Sequence, residues 1–365
     1  MVKIWQMTLW MLATLFPVMC FAADPEKVPE VSVVIPIYNG KAYLARALDS
    51  VCNQSFTDLE IICVDDGSTD GSLEILRQYA ARDPRIVVLE NVVNRGILYT
   101  RLRGFLRAKG NYIMTLDCDD EFFPKIIEKA HEVATQYDAD VVHFNTKLVN
   151  DRGREMRMHR KKRPILHISD DQRMTDIFLN SRNVFLWDKM FARDPLVATA
   201  QYLFPWANQN HIVYSEDSVV LAFTARNIKK YIGIETLGCI HNTSSGVTAR
   251  VRQNALKSLR ISSDHRRVYL KMVLDTIELG DPAYAARLLH RFPAPFYEHI
   301  ATLPLREGVD LFSKYIGPMP PKMRLKAAHK MRCTSPLWRR NIRRLARAVR
   351  NEIRAGTWVG KSRAI

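Results

Sequence analysis

From Val31 to Val149, short apolar runs alternate with stretches of helical spacing, and this rhythm restricts the possible folds more than any other feature. VSVVIPI, LEIICVD, RIVVLE, NYIMTL and DVVHFNTKLV are rich in β-branched residues, and several are apolar at nearly every position. Between them, KAYLARALDSVCNQ sets Leu44, Leu48 and Val51 at helical intervals. GSLEILRQYAARD, ILYTRLRGFLRAKG and PKIIEKAHEVATQYDA read the same way. Strands separated by helices of this length build βαβ units with parallel pairing. Runs that are apolar on both faces belong in a sheet covered from both sides. The expected class is α/β: a Rossmann-like, mainly parallel sheet with helices on both faces. Residues 31–150 form its first half and 166–250 its second, parted by a basic polar break over 151–165. The stretch 255–365 reads as a helical C-terminal region.

In an open parallel sheet, ligands bind beyond the carboxyl ends of the strands. Three runs end there in polar clusters: PIYNG, VDDGSTDGS and LDCDDE. Ser68 and Asp70 suit helix capping, but one cap suffices, and it leaves Asp65 and Asp66 unexplained. In TLDCDDE, Asp120 or Glu121 can favour the next helix through its dipole. Asp117 and Asp119 remain, and alternate residues of an extended segment project to one side. Two such carboxylates suit a hard divalent ion, Mn²⁺ or Mg²⁺, with positions open to phosphate oxygens. Further on, Glu216-Asp217 in YSEDSVV is read equally well as a helix N-terminus or as a catalytic pair.

Taken together, VSVVIPIYNG, Q-SFTDLEIICVDDGSTDGS, N-R-G with Arg101 behind it, G-NYIMTLDCDDE and the later SED resemble a family 2 glycosyltransferase with the A-type nucleotide-sugar fold. The match is close over roughly residues 31–150 and loose over 180–250. Each motif alone is weak, and five in order are highly specific. The resemblance implies inverting, metal-dependent transfer of a single sugar, hexosyl or N-acetylhexosaminyl, from a nucleotide diphosphate sugar such as a UDP-sugar. The acceptor would be a hydroxyl of a glycan or a lipid-linked glycan. It implies that Pro36 and Tyr38 pack around the base, that Asp66 accepts from the base ring, and that Asp65 supports it. Arg101 would lie near the diphosphate. Asp117 and Asp119 match the D-x-D that binds ribose and metal, and Asp120 extends that metal site. Asp217 would be the base, with Glu216 beside it. His241 falls where relatives carry a polar group facing the donor phosphates or metal, or it is an ordinary histidine. Trp187 in LWDKMF is either core or a sugar platform on the acceptor side. No Q-x-x-R-W occurs, which argues against a processive synthase. A noncatalytic glycan- or nucleotide-sugar-binding protein on the same fold is the alternative. An oxidoreductase is disfavoured because PIYNG lacks G-x-G-x-x-G.

The two ends of the chain carry a different message. Residues 1–23 hold an apolar stretch from Ile4 to Ala23, with Lys3 before and Asp24 and Glu26 after. That pattern fits a signal peptide or an N-terminal membrane anchor. It implies a secretory lumen or translocated location, or a bacterial inner membrane with a cytoplasmic active site. The chain's formal charge is +16, and residues 322–365 hold fourteen Lys or Arg against a single acid, Glu352. The body is thus close to neutral, which speaks against nucleic acid as a partner. Trp338, Ile342, Leu345, Val349 and Ile353 share one helical face with arginines around the rest. Such a basic amphipathic helix suits a membrane surface, or else docks on the body. Six cysteines with no C-x-x-C pair read as mostly free thiols.

Overall fold

The structure is a computed structural model, and it describes residues 28–150, 155–159, 185–243 and 255–279. The N-terminal apolar segment, most of the basic break and the expected arginine-rich helix at 338–354 lie outside the described residues. The strands are β1 (Val31–Ile37), β2 (Leu59–Asp65), β3 (Ile86–Glu90), β4 (Tyr112–Thr115), β5 (Glu121–Phe122), β6 (Val141–Val149), β7 (Glu155–His159), β8 (Lys189–Ala192) and β9 (Tyr231–Asn242). The helices are α1 (Leu44–Cys52), α2 (Ser72–Ala80), α3 (Ile97–Arg107), α4 (Ile126–Tyr137), α5 (Arg193–Gln209), α6 (Glu216–Thr224) and α7 (Ala255–Glu278).

All the strands join one sheet in the order β3-β2-β1-β4-β8-β6-β9-β5, with β7 beside β6. The expected parallel pairing holds from β3 through β4. Beyond β4 the sheet is mixed. β8 runs antiparallel to both β4 and β6, whereas β9 is parallel to β6. The short β5 pairs antiparallel with β9, setting Glu121 opposite Ile240 and Phe122 opposite Cys239.

Helices cover both faces, which explains the uniformly apolar strands. Val33, Ile35 and Ile37 of β1 face Leu44, Leu48 and Val51 of α1 and Ile126 and Ala130 of α4. Val34 of the same strand faces Leu98, Leu102 and Phe105 of α3, in a core completed by α5, α6 and α7. Each such side chain, taken out of water, contributes about 1.5–3 kcal/mol. Close approach of α3 to β1 depends on Gly104, where an added Cβ would stand 2.3 Å from a Val34 methyl. With α3 seated this closely, the residues one helical step away reach beneath the carboxyl ends of β1 and β4. Among the described residues, no helix is long and apolar enough to cross a membrane.

Candidate functional site

The carboxyl ends of β1, β2 and β4 meet along one edge, and their loops are laced together. Asn39, held at a left-handed φ of 51°, accepts from the Thr69 N–H at 2.8 Å and donates its own N–H to Ser68 Oγ at 3.0 Å. Asp70 accepts from the Ser72 N–H and Oγ at 3.0 and 2.6 Å, and from the Lys41 N–H at 2.9 Å. Asp70 thus opens α2 as capping predicts, while Ser68 instead ties β2's loop to β1's. Tyr38 stands 50% exposed just past β1. Pro36 is not in that loop. It is buried within β1, two residues beyond the last pairing with β4, where the ladder needs no donor.

The two acids at the end of β2 are held differently. Asp66 accepts from the Arg95 N–H at 2.8 Å, the Asn91 amide at 2.8 Å and the Gly96 N–H at 3.0 Å. Its carboxylate thus clamps the loop between β3 and α3. The Asp65 carboxylate accepts from the Ser68 N–H, at 3.1 Å, and its buried Oδ1 has no hydrogen bond. The open acceptor of the pair belongs to Asp65.

TLDCDDE is a turn, not an extended segment. The Asp120 N–H donates to the Asp117 carbonyl at 3.0 Å, curling the three acids together until one ligand oxygen of each lies within 4.8 Å of the others. Three convergent carboxylates fit a divalent cation in kind and spacing. They are not equivalent, however. Asp120 is buried, and its two oxygens accept from His241 Nδ1 at 2.8 and 3.1 Å. Its Oδ1 also takes the Asn242 N–H, at 2.9 Å. Pairing of β5 with β9 creates this contact by bringing the residue before Glu121 beside the residue after Ile240. Asp120 is thereby a support for His241, which leaves Asp117 and Asp119 as the more accessible oxygens. Burial alone would lower the His241 pKa, but the charge and hydrogen bond of Asp120, with Asp117 and Asp119 beyond, hold it at about 9.

Arg101, expected near a diphosphate, is fully buried. Its guanidinium is sealed from solvent beneath the edge because α3 packs so closely on β1. Nη1 donates to Thr115 Oγ1 at 2.8 Å. Nη2 lies 3.0 Å from Asp117 Oδ1, 3.3 Å from Glu216 Oε1 and 3.9 Å from Asp217 Oδ1. One buried cation thus collects the first acid of the β4 turn and the acid pair a hundred residues later. Glu216 and Asp217 form the first turn of α6, after Ser215 at a left-handed φ of 64° with no side-chain cap. Burial raises the pKa of both acids. For Asp217 the charge of Glu216 adds to it, and the pull of Arg101 does not offset the two. A carboxylate held high in this way is a better proton acceptor than a free one.

Some members of this neighbourhood left no mark in the sequence. Asp188 Oδ2 lies 2.8 Å from His143 Nε2, and its Oδ1 accepts from the buried Lys189 amine at 2.5 Å. His143 also contacts the Tyr231 hydroxyl. A charged residue inside an apolar strand, as in VVHF and WDKMF, is the one available signal, and it does not reveal the partner.

The glycosyl transferase family 2 model matches residues 32–195. Over 146 residues the chain is 34% identical to poly(ribitol-phosphate) beta-glucosyltransferase of Bacillus spizizenii, covering 39% of this chain and 23% of that protein. Over 251 residues it is 27% identical to the uncharacterized glycosyltransferase YibD of Escherichia coli, covering 67% and 69% of the two chains. The chain thus spans under a quarter of the first relative and about two thirds of the second. Among solved structures, Staphylococcus aureus TarS 1–349 in complex with UDP-GlcNAc superposes with a TM-score of 0.56 at 20% identity, over 90% of this chain and 92% of that one. At that identity the likeness establishes the fold.

Proposed function

For a chain that matches the glycosyl transferase family 2 model over residues 32–195, we propose inverting transfer of a single sugar from a nucleotide diphosphate sugar to a hydroxyl of a glycan or lipid-linked acceptor. The observation that carries this reading is the Arg101 cluster. It fixes Asp117, on the strand-end edge where a nucleotide would lie, at a set distance from Glu216 and Asp217. A donor-side acid and a candidate base held together in this way suit a displacement at a carbon between them. Asp217 takes the proton of the acceptor hydroxyl as that oxygen bonds to the anomeric carbon. The bond from that carbon to the diphosphate oxygen breaks on the opposite face, and the nucleoside diphosphate leaves. Burial, with the charge of Glu216 added, makes Asp217 a stronger base than a free carboxylate, and Glu216, hydrogen-bonded to Arg101, holds the start of α6 in place.

Asp65, with its unsatisfied oxygen, and exposed Tyr38 stand at the end where the nucleoside would bind. The donor we favour is a UDP-sugar, the class held by the TarS complex. Asp117 and Asp119, with His241 beside them, would hold Mn²⁺ or Mg²⁺. Such an ion supplies charge stabilisation for the departing diphosphate. We further propose that the apolar N-terminus and the arginine-rich C-terminus keep the protein at a membrane, near a lipid-linked acceptor.

The reading is tested with purified protein, a panel of nucleotide sugars and Mn²⁺, against EDTA controls. Asp217→Asn is expected to keep donor affinity within about threefold and to lower transfer by 10²–10⁴-fold, the range for loss of a general base. Transfer unchanged by this substitution removes Asp217 as the base. Absence of binding to any nucleotide sugar removes the whole reading.

A further inference from the structure

Trp187 leaves no face free for a sugar, and its position answers a different need. The side chain is only 4% exposed. His241 is stacked on one face, with centroids 4.7 Å apart and planes 7° from parallel. Phe185 also stacks on the indole, at 4.9 Å and 25°. The buried indole is therefore stacked with two rings, one of which, His241, belongs to the candidate site.

Two constraints act on the His241 ring, and they are perpendicular. The Asp120 carboxylate holds Nδ1 within the imidazole plane, through contacts at 2.8 and 3.1 Å. Trp187 fixes the tilt of that plane. With Nδ1 engaged, Nε2 is the ring nitrogen left for a ligand, and the pair of constraints sets its direction. The support is itself rigid. The Lys189 amine donates to the Phe185 carbonyl and to Asp188 Oδ1, both at 2.5 Å, closing residues 185–189 into a tight loop. The Phe144 N–H donates to the Asp188 carbonyl at 3.1 Å and fastens that loop to the sheet.

We propose that Trp187 is a positioning residue: backed by Phe185, it aims His241 Nε2 at the metal–diphosphate end of the donor. This rests on the proposed function, which places the donor diphosphate beside Asp117 and Asp119. A residue that only fills space there need not be flat. A positioning residue needs a flat ring at that spot.

The test is calorimetric titration of the full chain with UDP and Mn²⁺. His241→Ala is expected to weaken Mn²⁺-dependent UDP binding about 10–100-fold, the range for losing a metal-site group or its support. Trp187→Leu, with no ring, should weaken it about tenfold, and Trp187→Phe should stay within threefold of the parent. Adding Trp187→Leu to His241→Ala should cost nothing further, because the two act through one group. Trp187→Met replaces Trp187→Leu if the latter does not fold. Three results overturn the proposal: a ringless variant that binds as the parent does, an equal loss with and without His241, or a His241→Ala protein that binds normally. Failure of the parent chain to bind UDP with Mn²⁺ instead refutes the donor reading beneath it.

Discussion

A guanidinium sealed from water must be matched by charge, and Arg101 is matched by more than it needs. Asp117 and Glu216 hydrogen-bond to it, whereas Asp217 stands 3.9 Å away with a buried oxygen that has no hydrogen bond. Ionised Asp217 is therefore held at a cost in stability, and the sign of that cost can be followed with pH. Its folded pKa is raised well above 3.8. Between 3.8 and the raised value, the folded chain keeps a proton that the unfolded chain has released. The stabilising contribution of this group is full below 3.8 and is lost as pH rises through the folded pKa. Asp217→Asn removes the effect. By scanning calorimetry, the variant should melt a few degrees above the parent at pH 8, and the gap should close towards pH 4. A variant that melts below the parent at pH 8 would show that Asp217 stabilises the fold. Stability and transfer should thus move in opposite directions at this one residue, a trade expected where a site is strained for function.

At the scale of elements, the loop between β3 and α3 does more than connect. Asp66 clamps it from the β2 side, and Arg95 reaches across to the Asn208 carbonyl and amide oxygen at 2.7 and 2.6 Å. The turn is completed by Gly96 at φ 88°, where an added Cβ would stand 2.6 Å from the Ile212 carbonyl. Gly96→Ala therefore meets both a disfavoured backbone and a rigid neighbour. We expect it to lower unfolding free energy by about 2–4 kcal/mol, among the larger single-residue effects. A shifted urea midpoint at constant slope would register this. The N-R-G run was visible in the sequence as a motif, but its clamp was not. The βαβ order of residues 31–115 was legible because each strand and helix there uses local patterning. The mixed pairing beyond β4 was not legible, since β8 has only four residues and its direction follows from a long connection. Likewise, acids at strand ends announced themselves as anomalies. The rotation of α3 that puts Arg101 beneath them depends on packing at Gly104, and no spacing encodes it.

Across the whole molecule, the two halves of the site come from segments far apart in sequence, and β8 joins them by pairing with both β4 and β6. The charge of the chain is divided as sharply as its fold. The neutral body carries the acids of the site, and the last 44 residues carry most of the positive excess. Deleting residues 336–365 should weaken binding to anionic lipid vesicles in a flotation assay. In the intact chain, that binding should weaken as salt screens the arginines. Vesicle binding unaffected by the deletion would assign membrane contact elsewhere. The placement of β8 also sets a schedule for the newborn chain. β4 is flanked by β1 on one side and β8 on the other, and the ribosome delivers Thr115 well before Ala192. At ordinary elongation rates, roughly 4–15 seconds separate the two. During that interval an apolar strand lies at the rim of a half-built sheet with its hydrogen-bonding groups unpaired, a known template for aggregation. Expression of this protein should therefore depend on chaperone supply in those seconds, and fragments that stop short of residue 192 should be the ones that precipitate.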